Sequence, residues 1–122
     1  MLLISTEQIN TFSKYMLSNF IKTAFVYIRE HRSVSTATYS DKELAQFIKN
    51  GITIAKKYNI TERNDVIIFL EYMLVHKIGL EENDNNAWAK RILLLRNTSG
   101  TEKVTRMIKH TPLFPETEHD SN

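Results

Sequence analysis

Acidic and amide side chains alternate between residues 82 and 86, and this is the spacing in the chain closest to that of a metal site. Glu82, Asp84 and Asn86 resemble the first half of a calcium-binding loop. Such a loop also needs a glycine at its sharp turn and a distal glutamate that binds through both oxygens, and neither stands at the required position. The pattern therefore favours a solvated acidic connector or a partner contact, and it predicts no metal and no cofactor.

The histidines do not form a metal-ligand pattern. No two of them stand at ligand spacing and no HExxH motif occurs; they are His31, His76, His110 and His119. Zinc sites in proteins combine several such ligands at short, regular intervals. His31 and His110 fall near the predicted ends of helices, where an imidazolium interacts favourably with the helix dipole. A capping role is therefore predicted for these two.

Glu71 is the candidate for a general acid, because it stands among apolar residues next to Tyr72. A raised carboxyl pKa requires burial and a suitable neighbour. Helical spacing places Glu71 opposite the Phe69, Leu70 and Met73 face, so we expect it to be exposed. The serines and threonines of residues 33–40 lack a base and an oxyanion glycine. A non-enzymatic protein is predicted, and a small enzyme using Glu71 or the acids of residues 81–84 is the alternative.

Composition narrows the class of protein. The chain has 122 residues, which is the size of one domain, and no cysteine, so disulfides and thiolate chemistry are excluded. The apolar run at residues 1–4 is shorter than the core of a signal peptide. No stretch approaches the ~18 apolar residues of a membrane span. We therefore expect a soluble, cytoplasmic protein that makes no membrane contact.

Charge is distributed in zones, although the net charge is only +2. Residues 61–86 carry two basic and six acidic side chains, whereas residues 87–110 carry six basic and one acidic. Oppositely charged zones orient a protein as it docks. The pattern does not favour nucleic-acid binding, because few aromatic residues alternate with the basic ones. A nucleic-acid-binding regulator using residues 87–110 remains an open alternative.

Apolar residues recur at helical spacing throughout the chain and predict an all-α fold, a compact bundle of about five helices. Predicted helices cover about residues 6–30, 41–58, 62–78, 87–96 and 100–109. Ser40 with Glu43, and Ser99 with Glu102, form capping-box pairs at two helix starts. Thr61 is the predicted cap of the third helix. We expect one domain over residues 1–110 and a flexible acidic tail over 111–122.

Five further residues carry structural predictions. Met16 is placed on the buried stripe of the first helix, and Gly51 is hypothesised to allow close contact between helices. Asn59 is expected to take a left-handed backbone conformation, and Gly79 to end the third helix. Trp88 has two readings: a core residue that holds the fourth helix over the third, or an anchor for a partner protein.

Three segments carry a family resemblance: "LLISTEQINTF", "FIKNGITIAKKYNITERNDVIIFLEYMLVHKIGL" and "AWAKRIL". They resemble small, all-helical, uncharacterised bacterial proteins encoded beside type VI secretion components, such as PAAR-repeat tip proteins and toxic effectors. The matching positions are Tyr58, Ile60, Glu62, Arg63, Asp65, Val66, Met73, Gly79, Trp88 and Ala89. This chain departs from the pattern at Asn59 and Ala87, where the family has glycine and proline, and Asn64 lengthens one motif by a residue.

The resemblance implies a setting rather than a reaction, because the matching positions have structural roles. It implies an accessory protein that binds a secreted effector or its PAAR-type tip protein in the cytoplasm. Such a protein is either an adaptor or chaperone that loads the effector, or an immunity protein that neutralises it. The predicted partner-binding residues are Glu81, Glu82 and Asp84 of the acidic loop, together with Trp88.

Overall fold

The computed structural model describes residues 6–79 and 86–116, with side chains from residue 14 onward. The helices within these ranges are α1 (Thr6–His31), α2 (Asp41–Lys57), α3 (Arg63–His76), α4 (Ala87–Leu93) and α5 (Gly100–His110). No strand occurs in the described ranges. The predicted fold class, an all-α bundle of five helices in a single domain, is confirmed.

Side-chain caps define two of the helix starts. At α2 both halves of the capping box are present: the Glu43 N–H donates to Ser40 Oγ, and the Ser40 N–H donates to Glu43 Oε1 at 2.8 Å. At α5 the Glu102 N–H donates to Ser99 Oγ at 3.0 Å. Each such cap stabilises a helix by about 1 kcal/mol. The prediction for α3 was wrong, because its N-cap is Glu62 rather than Thr61 and makes no side-chain cap.

Residues in the left-handed conformation follow α2 and α3. Asn59 follows α2 with φ 69°, as predicted. The end of α3 was predicted at Gly79, but Lys77 takes the left-handed conformation first, with φ 61°, and its N–H donates to the Met73 carbonyl. Gly79 follows in the turn beyond, with φ 81°. α3 therefore ends at His76, because Lys77 adopts the left-handed conformation, which is strained for a non-glycine residue.

α3 is the central helix. Phe69, Leu70, Tyr72 and Met73 are consecutive or nearly so, point in different directions and are all fully buried. Glu71, on the opposite side of the helix, is buried as well, so α3 is enclosed around most of its circumference rather than along a single apolar face. α1, α2 and α5 all pack against it. This arrangement encloses residues of α3 that the sequence pattern assigns to solvent.

Gly51 lies at a close contact between α2 and α3. A Cβ atom built on Gly51 would lie 2.2 Å from Leu70 Cδ2 and 3.1 Å from Met73 Sδ. Real side chains do not approach so closely, so a methyl group at this position would require the Leu70 side chain to move. The hypothesis that Gly51 permits a close helix contact is confirmed.

Candidate partner-binding surfaces

The predicted acidic loop lies outside the described residues, so Glu81, Glu82 and Asp84 stay predictions as a recognition site. Trp88, the fourth predicted site residue, is half-buried near the start of α4. Its ring stacks on His110 with centroids 4.4 Å apart and meets Tyr72 edge-on at 6.2 Å. Trp88 therefore packs α4 against both α3 and α5, and its role as a partner anchor stays a prediction.

Glu71 is buried, so its predicted exposure was wrong. The residue is only 6% exposed, and the Nε–H of Arg32 donates to its Oε2 at 2.8 Å. Helical spacing correctly places Glu71 opposite the Phe69 face, but the end of α1 covers this second side of α3. Buried charges are stable in proteins when they are paired and hydrogen-bonded, as here. The carboxylate is engaged by a guanidinium rather than open to a substrate.

Arg32 connects three parts of the chain. It directly follows α1, its Nε meets Glu71 on α3, and its Nη1–H donates to the Phe114 carbonyl at 2.8 Å. The same Nη1 lies 4.0 Å from Glu116 Oε2. Residues 111–116, which we call the C-terminal strap, therefore lie against the helices through a buried cation. The predicted domain boundary at residue 110 stays a prediction. The predicted flexibility of the tail also stays a prediction, and residues 117–122 of that tail lie outside the described residues.

The carboxylate of Glu116 is held by the turn that follows Arg32. The successive N–H groups of Val34 and Ser35 donate to Glu116 Oε1 at 2.9 and 3.4 Å. The Ser35 hydroxyl donates to Glu116 Oε2. Consecutive backbone N–H groups in a turn form a concave site for anions. We call Arg32, Val34 and Ser35 the carboxylate site.

A second arginine fixes the shape of this turn. Arg29 donates from Nη1 to the Thr36 carbonyl at 2.7 Å and from Nη2 to the Tyr39 carbonyl at 2.8 Å. Its Nη2 also meets Asp41 Oδ1 at the start of α2, at 2.9 Å. The turn between α1 and α2 is therefore held by hydrogen bonds at several points along its length. The carboxylate site is built on a constrained backbone.

Tyr72 attaches the beginning of the strap to α3. Its hydroxyl donates to the Thr111 carbonyl at 2.5 Å. Burial, and to a smaller extent the negative charge of Glu71, together raise the pKa of Tyr72 to about 12. Burial and Glu71 also raise the pKa of Tyr27, and the positive charge of Arg32 partly opposes them. Both phenols therefore keep their protons beside the buried ion pair.

The raised pKa of Tyr72 predicts a loss of stability in alkali. Between its ordinary pKa of 10.0 and about 12, the unfolded chain releases a proton that the folded chain retains. Stability that is fully present below pH 10 is then lost as the pH rises, by about 2 kcal/mol at pH 12. Urea unfolding from pH 9 to 12 measures this loss, and Tyr72→Phe should make the profile flatter by that amount. At neutral pH the same variant should lose about 1 kcal/mol with its hydrogen bond.

The control for this experiment is Tyr15→Phe, because Tyr15 is 68% exposed. That variant should keep the alkaline slope of the unmodified chain. Equal slopes in the Tyr72→Phe and unmodified chains would contradict the assignment to Tyr72.

The basic zone of residues 87–110 is partly used inside the protein. Lys103 is buried, and its Nζ donates to the Tyr58 carbonyl at 2.9 Å, where α2 ends. Arg106 pairs with Glu102 one turn away on α5, also at 2.9 Å. These two cations therefore serve the fold, which reduces the basic surface that the sequence offers to a phosphate backbone.

The described beginning of α1 is exposed on every side. All residues from 14 to 19 are exposed, although they cover more than one helical turn of about 3.6 residues. We call residues 14–19 the free segment of α1. Tyr15, Met16 and Leu17 are 68%, 51% and 44% exposed, so the predicted burial of Met16 was wrong. Among the side chains of α1 described from residue 14 onward, burial begins at Phe20, so Met16 lies before the part of the helix that packs against the bundle.

Comparisons with known proteins identify no relative: no family model, curated protein or solved structure matches this chain. Within residues 6–79 and 86–116, no helix is long and apolar enough to cross a membrane. In the same ranges, no three acidic or histidine side chains are grouped as ligands for a metal ion. Function must therefore be argued from the surfaces of the bundle.

Proposed function

We propose that this chain is a non-enzymatic accessory protein that binds a secreted effector, or the tip protein that carries the effector, in the cytoplasm. The partner-binding surface in this proposal is the free segment of α1. The identity of the partner rests on the resemblance to proteins encoded beside type VI secretion components. The location of the surface rests on the exposure of Tyr15, Met16 and Leu17.

The free segment supports binding because it is costly to leave in water. Helices in proteins are stabilised mainly by packing an apolar face, and residues 14–19 pack against no described element. Aromatic residues and methionine are enriched in protein interfaces, where they provide large apolar contact area. Tyr15 and Met16 are therefore suited to enter an apolar groove of a partner, with Lys14 and Lys22 available to acidic residues at its rim.

The buried ion pair supports a non-enzymatic role. Glu71 is one of the acids that the sequence offers for catalysis, and it is enclosed with Arg32 and the strap. A general acid must reach the proton that it transfers within hydrogen-bonding distance of a substrate. Glu71 has no such access in this arrangement.

The experiment is co-expression of the chain with the product of the neighbouring effector gene, followed by size-exclusion chromatography and titration of the purified pair. A stable complex is expected. The double variant Tyr15→Ser/Met16→Ser should weaken it at least tenfold, because buried aromatic and apolar anchors contribute most of the energy of an interface. These residues are exposed, so the variant should retain the melting temperature of the unmodified chain.

The matched control is Leu94→Ser/Ile108→Ser, which removes two other exposed apolar residues, 58% and 39% exposed, far along the chain. This variant should bind like the unmodified chain. Equal weakening by both double variants would reject the free segment as the surface. Purified components that never co-elute would reject effector binding itself.

One further measurement separates the two forms of the proposal. An immunity protein should rescue a cell that expresses the toxic effector. An adaptor or chaperone should raise export of the effector without protecting the cell. Both readouts can be scored on the same strains, with the Tyr15→Ser/Met16→Ser variant as the binding-deficient reference.

A further inference from the structure

We propose that the carboxylate site is a recognition site for an acidic, proline-containing peptide of a partner protein, and that the C-terminal strap occupies this site as an internal competitor. The proposal concerns a surface separate from the free segment of α1. It rests on the contacts of Glu116 with Arg32, Val34 and Ser35.

The site has the parts that carboxylate recognition requires. It presents two backbone N–H donors and a hydroxyl donor directed at one carboxylate, and the guanidinium of Arg32 lies 4.0 Å from the same carboxylate. The Arg32 side chain is 6% exposed, so its charge acts in a medium of low dielectric constant. Arg29 fixes the same turn by donating hydrogen bonds to the Thr36 and Tyr39 carbonyls. The fold therefore holds these donors in place, whether the carboxylate that they bind belongs to the strap or to another protein.

Few of the strap's contacts depend on its own sequence. Tyr72 and Arg32 bind backbone carbonyls, those of Thr111 and Phe114. Phe114 itself is 74% exposed, while Leu113 packs against the core. A peptide from another protein satisfies the same donors if it has an extended backbone, an apolar residue and a carboxylate three positions later. Prolines such as Pro112 and Pro115 favour an extended conformation and lower the entropy lost on binding.

The strap competes because it is part of the same chain. A short tether gives a tethered ligand an effective concentration of about millimolar order. An external peptide must displace the strap. Its apparent affinity is therefore its intrinsic affinity multiplied by the fraction of molecules whose site is open. Weakening the strap should therefore reveal peptide binding that the unmodified chain conceals.

The experiment uses the full chain and a fluorescent peptide, Thr-Pro-Leu-Phe-Pro-Glu, acetylated and amidated so that its glutamate is the only carboxylate. The Glu116→Gln chain should bind this peptide about tenfold more tightly than the unmodified chain, measured by fluorescence anisotropy. A peptide ending in glutamine should bind the Glu116→Gln chain about tenfold more weakly, because charged hydrogen bonds are lost. Adding Ser35→Ala to the Glu116→Gln chain should also weaken binding.

The matched control chain is Glu102→Gln, since Glu102 is a half-exposed acid in a surface pair with Arg106. It should bind the peptide no better than the unmodified chain. Equal affinity for the two peptides, or no binding to the Glu116→Gln chain, would overturn the proposal.

A second measurement requires no variant. In the unmodified chain, millimolar glutamate peptide should shift the amide NMR signals of Val34 and Ser35, and the glutamine peptide should not. Unshifted signals with both peptides would also overturn the proposal. A concentration-dependent dimer of the unmodified chain, with those amides still protected, would show instead that the site accepts only the strap of a second copy.

Discussion

Replacing Glu71 by alanine is expected to lower the free energy of unfolding by about 3–5 kcal/mol. The substitution leaves Arg32 buried, with its Nε–H deprived of the acceptor 2.8 Å away. The carboxylate of Glu116 lies 4.0 Å from Nη1 and already accepts hydrogen bonds from Ser35. Domains are stable by only about 5–15 kcal/mol, so this change removes a large share of the total.

Urea unfolding at neutral pH measures the effect of Glu71→Ala. Glu102→Ala is the control, because that acid also pairs with an arginine at 2.9 Å but is half exposed, and surface pairs contribute at most about 1 kcal/mol. The double variant Arg32→Met/Glu71→Leu should be more stable than either single variant, since it leaves no buried charge unpaired. A loss below about 1 kcal/mol for Glu71→Ala would contradict the buried pair.

Gly100→Ala is expected to cost about 3 kcal/mol, a large effect for one methyl group. A Cβ atom at Gly100 would lie 2.1 Å from the Asn59 carbonyl oxygen and 2.7 Å from Ile60 Cα. These are backbone atoms, so no side-chain rotation relieves the contact. The turn is itself held, because the Ile60 N–H donates to the Ala55 carbonyl at 2.9 Å. Overpacking of this kind costs ~1–3 kcal/mol, and contact with backbone favours the upper end.

Gly51→Ala is the matched comparison, because the same methyl group is added at another buried glycine. There the Cβ meets the end of the Leu70 side chain, which can rotate away, and alanine gains about 1 kcal/mol of helix propensity over glycine. Thermal unfolding of the two variants should therefore rank Gly100→Ala as clearly less stable. The reverse order, or equal stabilities, would contradict the close approach of α5 to the turn after α2.

Local features of the fold were predictable because they depend on residues close in the chain. Ser40 and Ser99 cap helices through bonds to residues three positions later. Asn59 takes the left-handed conformation that few other residues tolerate. Lys77 shows the limit of this reasoning, since a lysine in that conformation ends α3 before the expected glycine.

The polar network around Arg32 could not be predicted, because its contacts join residues far apart in the chain. Glu71 lies 39 positions from Arg32, and Glu116 lies 82 positions from Val34. Periodicity along α3 correctly gives the direction of Glu71 but not what covers that side. Met16 illustrates the opposite error: its spacing suits a buried stripe, but no described element packs beside it.

The sequence by itself determined the helices and the side-chain caps at Ser40 and Ser99, because helical periodicity and capping act over three or four residues. It also marked Gly51 and Trp88 as positions with a packing role. Only the tertiary structure decided which polar groups are buried and which apolar groups remain in water. The physical reason is that burial depends on the neighbours that folding brings to a side chain: Glu71 is enclosed by Arg32 at the end of α1, whereas Tyr15 and Met16 extend past the bundle.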